Sequence, residues 1–319
     1  MGNRTAIFAA VALLAGSPWA GADESLWIYT KGAETLPQGE FEAKLLTVHR
    51  LGKESGDYMF NDIRPMVEWG LTDRLTLEFQ WQLFHHDYSV NDPDLQPMFD
   101  SQGGAGGSFD DTQFAGWEVL AKYNILSPYK DFMGLSLGFG FERRNVYRLD
   151  GAQIDQDSFF PVLYLQKNFL DDTVVVAMST KMEMERRESG EVGDRVLEEE
   201  IAFDIGVGVS YRFAPNWNIG LEFRHQSDYL CPEFEGELDP YCSGGPSSFD
   251  LPEIQLGDNF QNGNYIGPTI HFAQKHWWAT AGVLFQFYGA GSGNSYVRDG
   301  LNLDEHERVH VGFHLGYEF

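Results

Sequence analysis

The sequence predicts an all-β protein: a transmembrane antiparallel up-and-down β-barrel of about 12 strands behind a cleaved signal peptide. Three observations predict it. Apolar and polar residues alternate strictly up to a terminal aromatic, connections alternate between short and long, and the N-terminus carries an export signal.

The C-terminus sets the register. Val309, Val311, Phe313, Leu315, Tyr317 and Phe319 alternate with His310, Gly312, His314, Gly316 and Glu318. Only a strand of period two sorts these residues onto an apolar and a small or polar face. The same template recurs in Leu75–Leu83, Leu135–Phe141, Ile201–Tyr211, Trp217–Phe223, Ile266–Phe272 and Trp277–Phe287. Strands are expected over 40–52, 57–69, 74–87, 112–125, 132–145, 158–168, 173–187, 196–212, 217–228, 263–273, 277–288 and 306–319. Segments of ten or more residues suit a tilted membrane crossing better than a soluble sheet. The segment 158–168 fits least well, because both of its faces carry apolar residues.

Tight turns are expected at 70–73, 127–130, 170–172, 214–216 and 274–276. Long connections are expected at 88–111, 146–157, 229–262 and 289–305, with short ones at 53–56 and 188–195. Short periplasmic turns and longer outer loops are the pattern of a barrel. Trp69, Tyr123, Tyr211, Trp217, Trp277 and Tyr317 fall beside the short turns. Amphipathic rings there make an interfacial girdle, which a soluble sheet does not need.

At the N-terminus Arg4 precedes the short apolar run Ala6–Ala15, and Ala20-Gly21-Ala22 is a small-x-small cleavage site. The expected organisation is a signal peptide at 1–22, a periplasmic segment or lumen plug at 23–39, and the barrel at 40–319. Leu26, Trp27, Ile28 and Tyr29 are too apolar for water, so 23–39 either stops the lumen or adds to the sheet. Charged residues make up 22% of the 319, and no 18-residue apolar run follows the N-terminus, which excludes a helical membrane protein. Cys231 and Cys242 are the only cysteines, and an oxidising compartment makes one short disulfide loop the expectation.

Several stretches resemble an uncharacterised family of bacterial outer-membrane barrels, a domain of unknown function. They are Gly32–Pro37, Gly70–Arg74, Gly220–Arg224, and Gly267–Ala273 with Trp277–Thr280. The chain is also similar, more loosely, to barrels encoded with aromatic-degradation pathways. The resemblance implies an outer-membrane barrel and implies no activity.

The register turns Arg64, Glu78, Glu118, Lys122, Glu142, Lys181, Asp204, Glu222, Arg224 and His271 towards the lumen. Expected cross-strand pairs are Arg64 with Glu78 and Lys181 with Asp204. Glu78 and Glu222 are expected to set ion preference. Residues 88–111 and 228–258 carry acids and no Lys or Arg, and the chain's net charge is -26. An acidic mouth concentrates cations and repels nucleic acid. These features point to a monomeric, narrow passive channel for small or cationic solutes, with a non-conducting surface-binding or structural barrel as the alternative. A lipid-modifying enzyme is a third reading. His49, His85 and His225 lie near outer strand ends and Ser89 follows His85, but no Ser-His-acid spacing is persuasive, so no catalytic residue is assigned. The acids of Asp150–Asp157 lack the spacing of a calcium loop, and no metal or cofactor is expected. Expected partners are outer-membrane lipid, lipopolysaccharide, and the barrel-assembly machinery through the strand ending in Phe319.

Overall fold

The structure is a computed structural model that describes residues 25–89, 108–189, 196–234, 237–238, 258–291 and 297–319. The expected signal peptide at 1–22 lies outside the described residues, as do Cys242 and the Cys231 side chain of the expected disulfide.

Twelve long strands build one sheet. They are β1 (Phe41–Leu51), β2 (Asp57–Thr72), β3 (Leu75–Ser89), β4 (Ser108–Leu126), β5 (Gly134–Val146) and β6 (Gln153–Phe169). They continue as β7 (Val174–Ser189), β8 (Val196–Ala214), β9 (Trp217–Phe234), β10 (Asp258–Ala273), β11 (Trp277–Ala290) and β12 (Val309–Glu318). Each pairs antiparallel with its neighbours in sequence, and β12 pairs with both β11 and β1. The sheet is therefore a closed barrel without an edge, the form that satisfies every ladder group inside a membrane.

Alternation does the sorting. Along β3, the outward residues Leu75, Leu77, Phe79, Trp81 and Leu83 flank the buried Thr76, Glu78, Gln80 and Gln82. The polar face is the buried one, the reverse of a soluble domain. All six girdle aromatics point outward at the short-turn end, and Phe41 stacks on Trp69 there with ring centroids 5.8 Å apart. They mark the periplasmic membrane boundary. β4 and β8 have 19 residues and β12 has 10, while a tilted crossing needs about 10. The surplus length of β4 and β8 stands beyond the outer boundary.

β2 and β9 run on to Thr72 and Phe234 and β4 begins at Ser108, beyond the expected 57–69, 217–228 and 112–125, and three further starts differ. β6 begins at Gln153 rather than 158, because only the six residues 147–152 connect it to β5. That turn tucks into the lumen: Tyr58 and Tyr88 donate hydroxyls to the carbonyls of Leu149 and Asp150, each at 3.0 Å. β10 begins at Asp258 rather than 263. β12 begins at Val309 rather than 306, since residues 303–307 also fold inward. Before them, Asp299-Gly300 links the two-residue strands Val297–Arg298 and Leu301–Asn302, with both residues at positive φ (53° and 77°). That is the mirror-image turn favoured in two-residue hairpins.

Residues 25–36 join no ladder. They enter from the periplasmic end, rise to a tip at Tyr29–Lys31 and return to β1, all within the barrel. Leu26, Trp27, Ile28, Ala33 and Leu36 are buried. Glycines on the inner wall make the room. A Cβ at Gly208 would strike the Trp27 ring, at Gly206 Thr30, and at Gly282 or Gly312 Ile28. A Gly312→Val variant is therefore expected to fold with residues 25–36 unseated. The measurement is limited proteolysis from the periplasmic side: faster cleavage after Lys31 than in the native protein is expected, and unchanged protection would show that the groove is not required.

Candidate functional site

The stopper is held by side chains projecting from the wall. Glu222 on β9 accepts the backbone N–H groups of Ile28 (2.9 Å), Tyr29 (2.8 Å) and Thr30 (2.6 Å). A buried carboxylate with three N–H donors is a strong anchor, since each bond is charge-assisted. Lys31 donates to Glu78 on β3 at 2.8 Å. The N–H of Ala33 meets Gln166, and that of Leu36 meets the Thr76 hydroxyl, both at 2.8 Å. Asn124 and Ser136 donate to the Ala33 carbonyl. Thr269 and Thr280 donate to Leu26 and Ser25.

Above the stopper lies a cavity of 1140 Å³. Ile28, Tyr29 and Lys31 form its floor, and the two inward-folded connections narrow its mouth. Its lining mixes eight basic with eleven acidic side chains, beside an apolar patch of Leu120, Phe160, Val162 and Tyr164. The patch explains why β6 is apolar on both faces.

Of the ten residues that the register turns inward, Arg64, Glu118, Lys181, Asp204 and Arg224 line this cavity. Glu78 and Glu222 lie beneath it on the stopper. Glu142 is fully buried against Arg144 (3.2 Å) and Gln82 (2.6 Å). Lys122 sits over the Tyr164 ring at 4.6 Å, and His271 shares a 2.7 Å hydrogen bond with Thr280. The expected pairs Arg64 with Glu78 and Lys181 with Asp204 do not form. Arg64 makes a two-pronged bond to Asp62 (2.8 and 2.9 Å) and Lys181 meets Glu183 (2.8 Å). Asp204 instead takes Arg224, at 3.0 and 2.6 Å. For Arg64 and Lys181 the partner lies two residues along the same strand, as also in Glu42/Lys44, Glu142/Arg144 and Glu185/Arg187, whereas Asp204 with Arg224 and Lys44 with Glu68 (2.7 Å) pair across strands. Residues i and i+2 share a face, so short acids beside long bases satisfy one another locally. The charges pave the wall rather than bridge the lumen.

Tyr29, His310 and Glu307 connect the stopper to the connection between β11 and β12. The Tyr29 hydroxyl and His310 Nδ1 are 2.9 Å apart, and His310 Nε2 and Glu307 are 3.1 Å apart. His306 packs against Gly263, where a Cβ would crowd its ring. Burial pushes the His306 pKa down to about 3. Burial opposes ionisation of Glu307 as well, but Lys53, His310 and Arg50 outweigh it and hold this carboxyl below its usual range. Stability from His306 is therefore full above an ordinary histidine pKa near 6.5 and is lost as pH falls towards 3, with Glu307 acting in the same sense below about 4.5. Glu305 in the same segment opposes this, because burial raises its carboxyl to about 8 and its stability grows as pH falls towards 4.5. Residues 303–308 are therefore expected to come free only on acidification from about pH 5 to about 3, where His306 and Glu307 act alone. Hydrogen exchange of residues 303–308, corrected for the intrinsic rate at each pH, reports it, and equal protection at both values would exclude this linkage.

The histidines near outer strand ends pair with side chains of the neighbouring strands. Among the described residues His49 bonds Asn61, His85 bonds Thr112 and His225 bonds Asn264, and none meets a serine. The Asp150–Asp157 run does not converge either: Asp150 is buried in its turn, whereas Asp155 and Asp157 face outward on Arg143 (2.9 and 2.8 Å).

A family model describing a family of unknown function (DUF6662) matches residues 19–319. The chain belongs to that family. The chain is also similar to the COG4313 outer membrane channel from Pseudomonas putida F1, with 13% identity, 90% of this chain and 98% of that chain covered, and a TM-score of 0.59. Lower scores join it to the KdgM porin (12% identity, 86% and 99% covered, TM-score 0.43) and to the P. putida toluene transporter TodX (10%, 89% and 90%, 0.38). No curated protein sequence matches. The closed sheet with its apolar outer face and this likeness of fold make this member of the family an outer-membrane β-barrel.

Proposed function

We propose that the protein is a passive outer-membrane channel for small solutes, held shut from the periplasmic side by its own residues 25–36. The observation that carries this reading is the 1140 Å³ cavity whose floor is a stopper rather than barrel wall. The stopper has no covalent tie on its N-terminal side once the leader is cleaved near residue 22. Its anchors are hydrogen bonds that water can replace. The acidic majority of the lining, eleven to eight, favours cations at the mouth.

Planar-bilayer recording under a salt gradient tests the reading. The native barrel is expected to show rare, brief openings with modest cation preference, and a variant lacking residues 25–36 is expected to show sustained steps. A truncated barrel that is folded and silent would overturn the channel reading. It would favour the non-conducting surface-binding barrel, which the inward folding of 147–152 and 303–307 otherwise supports.

A further inference from the structure

We propose that Arg50 and Arg224, at the floor of the cavity, form a subsite for the carboxylate of a small organic acid. Both side chains line the cavity, and both residues are more than nine-tenths buried. Arg224 spends Nε and Nη2 on Asp204 and lies over the Tyr29 ring at 3.4 Å, which leaves its Nη1 without a hydrogen-bond partner. Arg50 reaches Asp62 only at 3.9 Å, beyond hydrogen-bond range, and its Nε is likewise unpartnered.

A buried guanidinium N–H without an acceptor is costly, and the Arg50 side chain makes no hydrogen bond at all among the described residues. The two cations repel each other, and both fields fall on Tyr29. The acids facing them are committed. Asp204 holds Arg224, Asp62 holds Arg64, and Glu307 serves His310 and Lys53. The remaining acids of the lining, such as Glu185, Glu200 and Asp228, lie on β7, β8 and β9 towards the mouth. What the floor lacks is one planar, two-oxygen acceptor, and guanidinium matches a carboxylate in shape as well as charge. Val48 and Met66, the next inner-face residues to Arg50 and Arg64, offer an apolar surface to the rest of the molecule.

The subsite is separable from the channel reading, because binding is measured without conduction. The probe is isotope-labelled butyrate, observed by broadening of its carboxyl resonance on the refolded full-length barrel in detergent. Butylamine and chloride at equal ionic strength are the competitors. Broadening is expected, with competition by neither, and R50Q is expected to weaken it roughly tenfold or more. Arginine modification by phenylglyoxal, mapped by mass spectrometry on the native protein, gives a readout that needs no variant. Butyrate is expected to protect Arg50 and Arg224 selectively. Absence of broadening, equal displacement by chloride, unaltered binding in a folded R50Q barrel, or modification unaffected by butyrate would each overturn the assignment.

Discussion

Glu222→Ala is expected to convert a mostly closed barrel into a mostly open one. The change strips three buried N–H groups of their acceptor at once, those of Ile28, Tyr29 and Thr30. Rehydration of the lumen recovers part of the loss, so a net destabilisation of the seated segment of about 3 kcal/mol is reasonable. That moves the ratio of seated to released barrels by roughly a hundredfold. Single-channel open probability is the readout. Neutralising Glu222 would change ion preference with little gain in opening if this residue acted on passing ions, as the sequence alone suggests. The structure places it under the stopper, so its loss should act on gating. Open probability equal to that of the native protein would refute the anchoring role.

Arg144→Met is expected to cost about 3 kcal/mol of barrel stability, the usual scale for removing one partner of a buried ion pair. Glu142 is fully buried, and Arg144 lies between it and Glu185 at 3.2 and 3.3 Å. Without Arg144, Glu142 keeps only Gln82 and a 3.8 Å approach from Arg148 on the inward turn. Unfolding by urea in lipid vesicles measures the loss, and the double variant Glu142→Gln, Arg144→Met is expected to recover most of it. A single variant as stable as the native barrel would mean that lumen water already screens the pair.

The wall of this protein was legible in its sequence, while the contents of the lumen were much less so. Alternation in Leu75–Leu83 and Val309–Phe319 sorts residues by face with no tertiary information, because the pleat alone decides it. The girdle residues Trp69 and Tyr317 follow from their distance to a turn. By contrast, the bond from Ile28 to Glu222 spans 194 residues, and no local period announces it. A clue existed in the glycines. Gly206, Gly208, Gly282 and Gly312 fall on the inner face, where a side chain would ordinarily fill the lumen, and their clustering marks a groove. The ion pairs were written locally too, as acid-x-base or base-x-acid on one strand. Expecting only cross-strand partners overlooked these for Arg64 and Lys181, whose same-strand neighbours reach them first, while Asp204 does pair across strands, with Arg224 rather than Lys181.

The seam between β1 and β12 joins residues such as Leu45 and Leu315, the first and last strands of the barrel. The stopper precedes β1 directly, and its anchors sit on β3, β6 and β9. Assembly order follows from that arrangement. Most of the wall that receives the N-terminal segment, all but Gly312 and His310 of β12, is made before the seam, so the segment can dock on an open, curved sheet and be enclosed as the last strand closes. A chain that closes first must thread a dozen residues back through a mouth ringed by aromatics, and long-range closure is already the slow step in such topologies. Two populations of refolded protein, conducting and silent, are the expected record of which event came first.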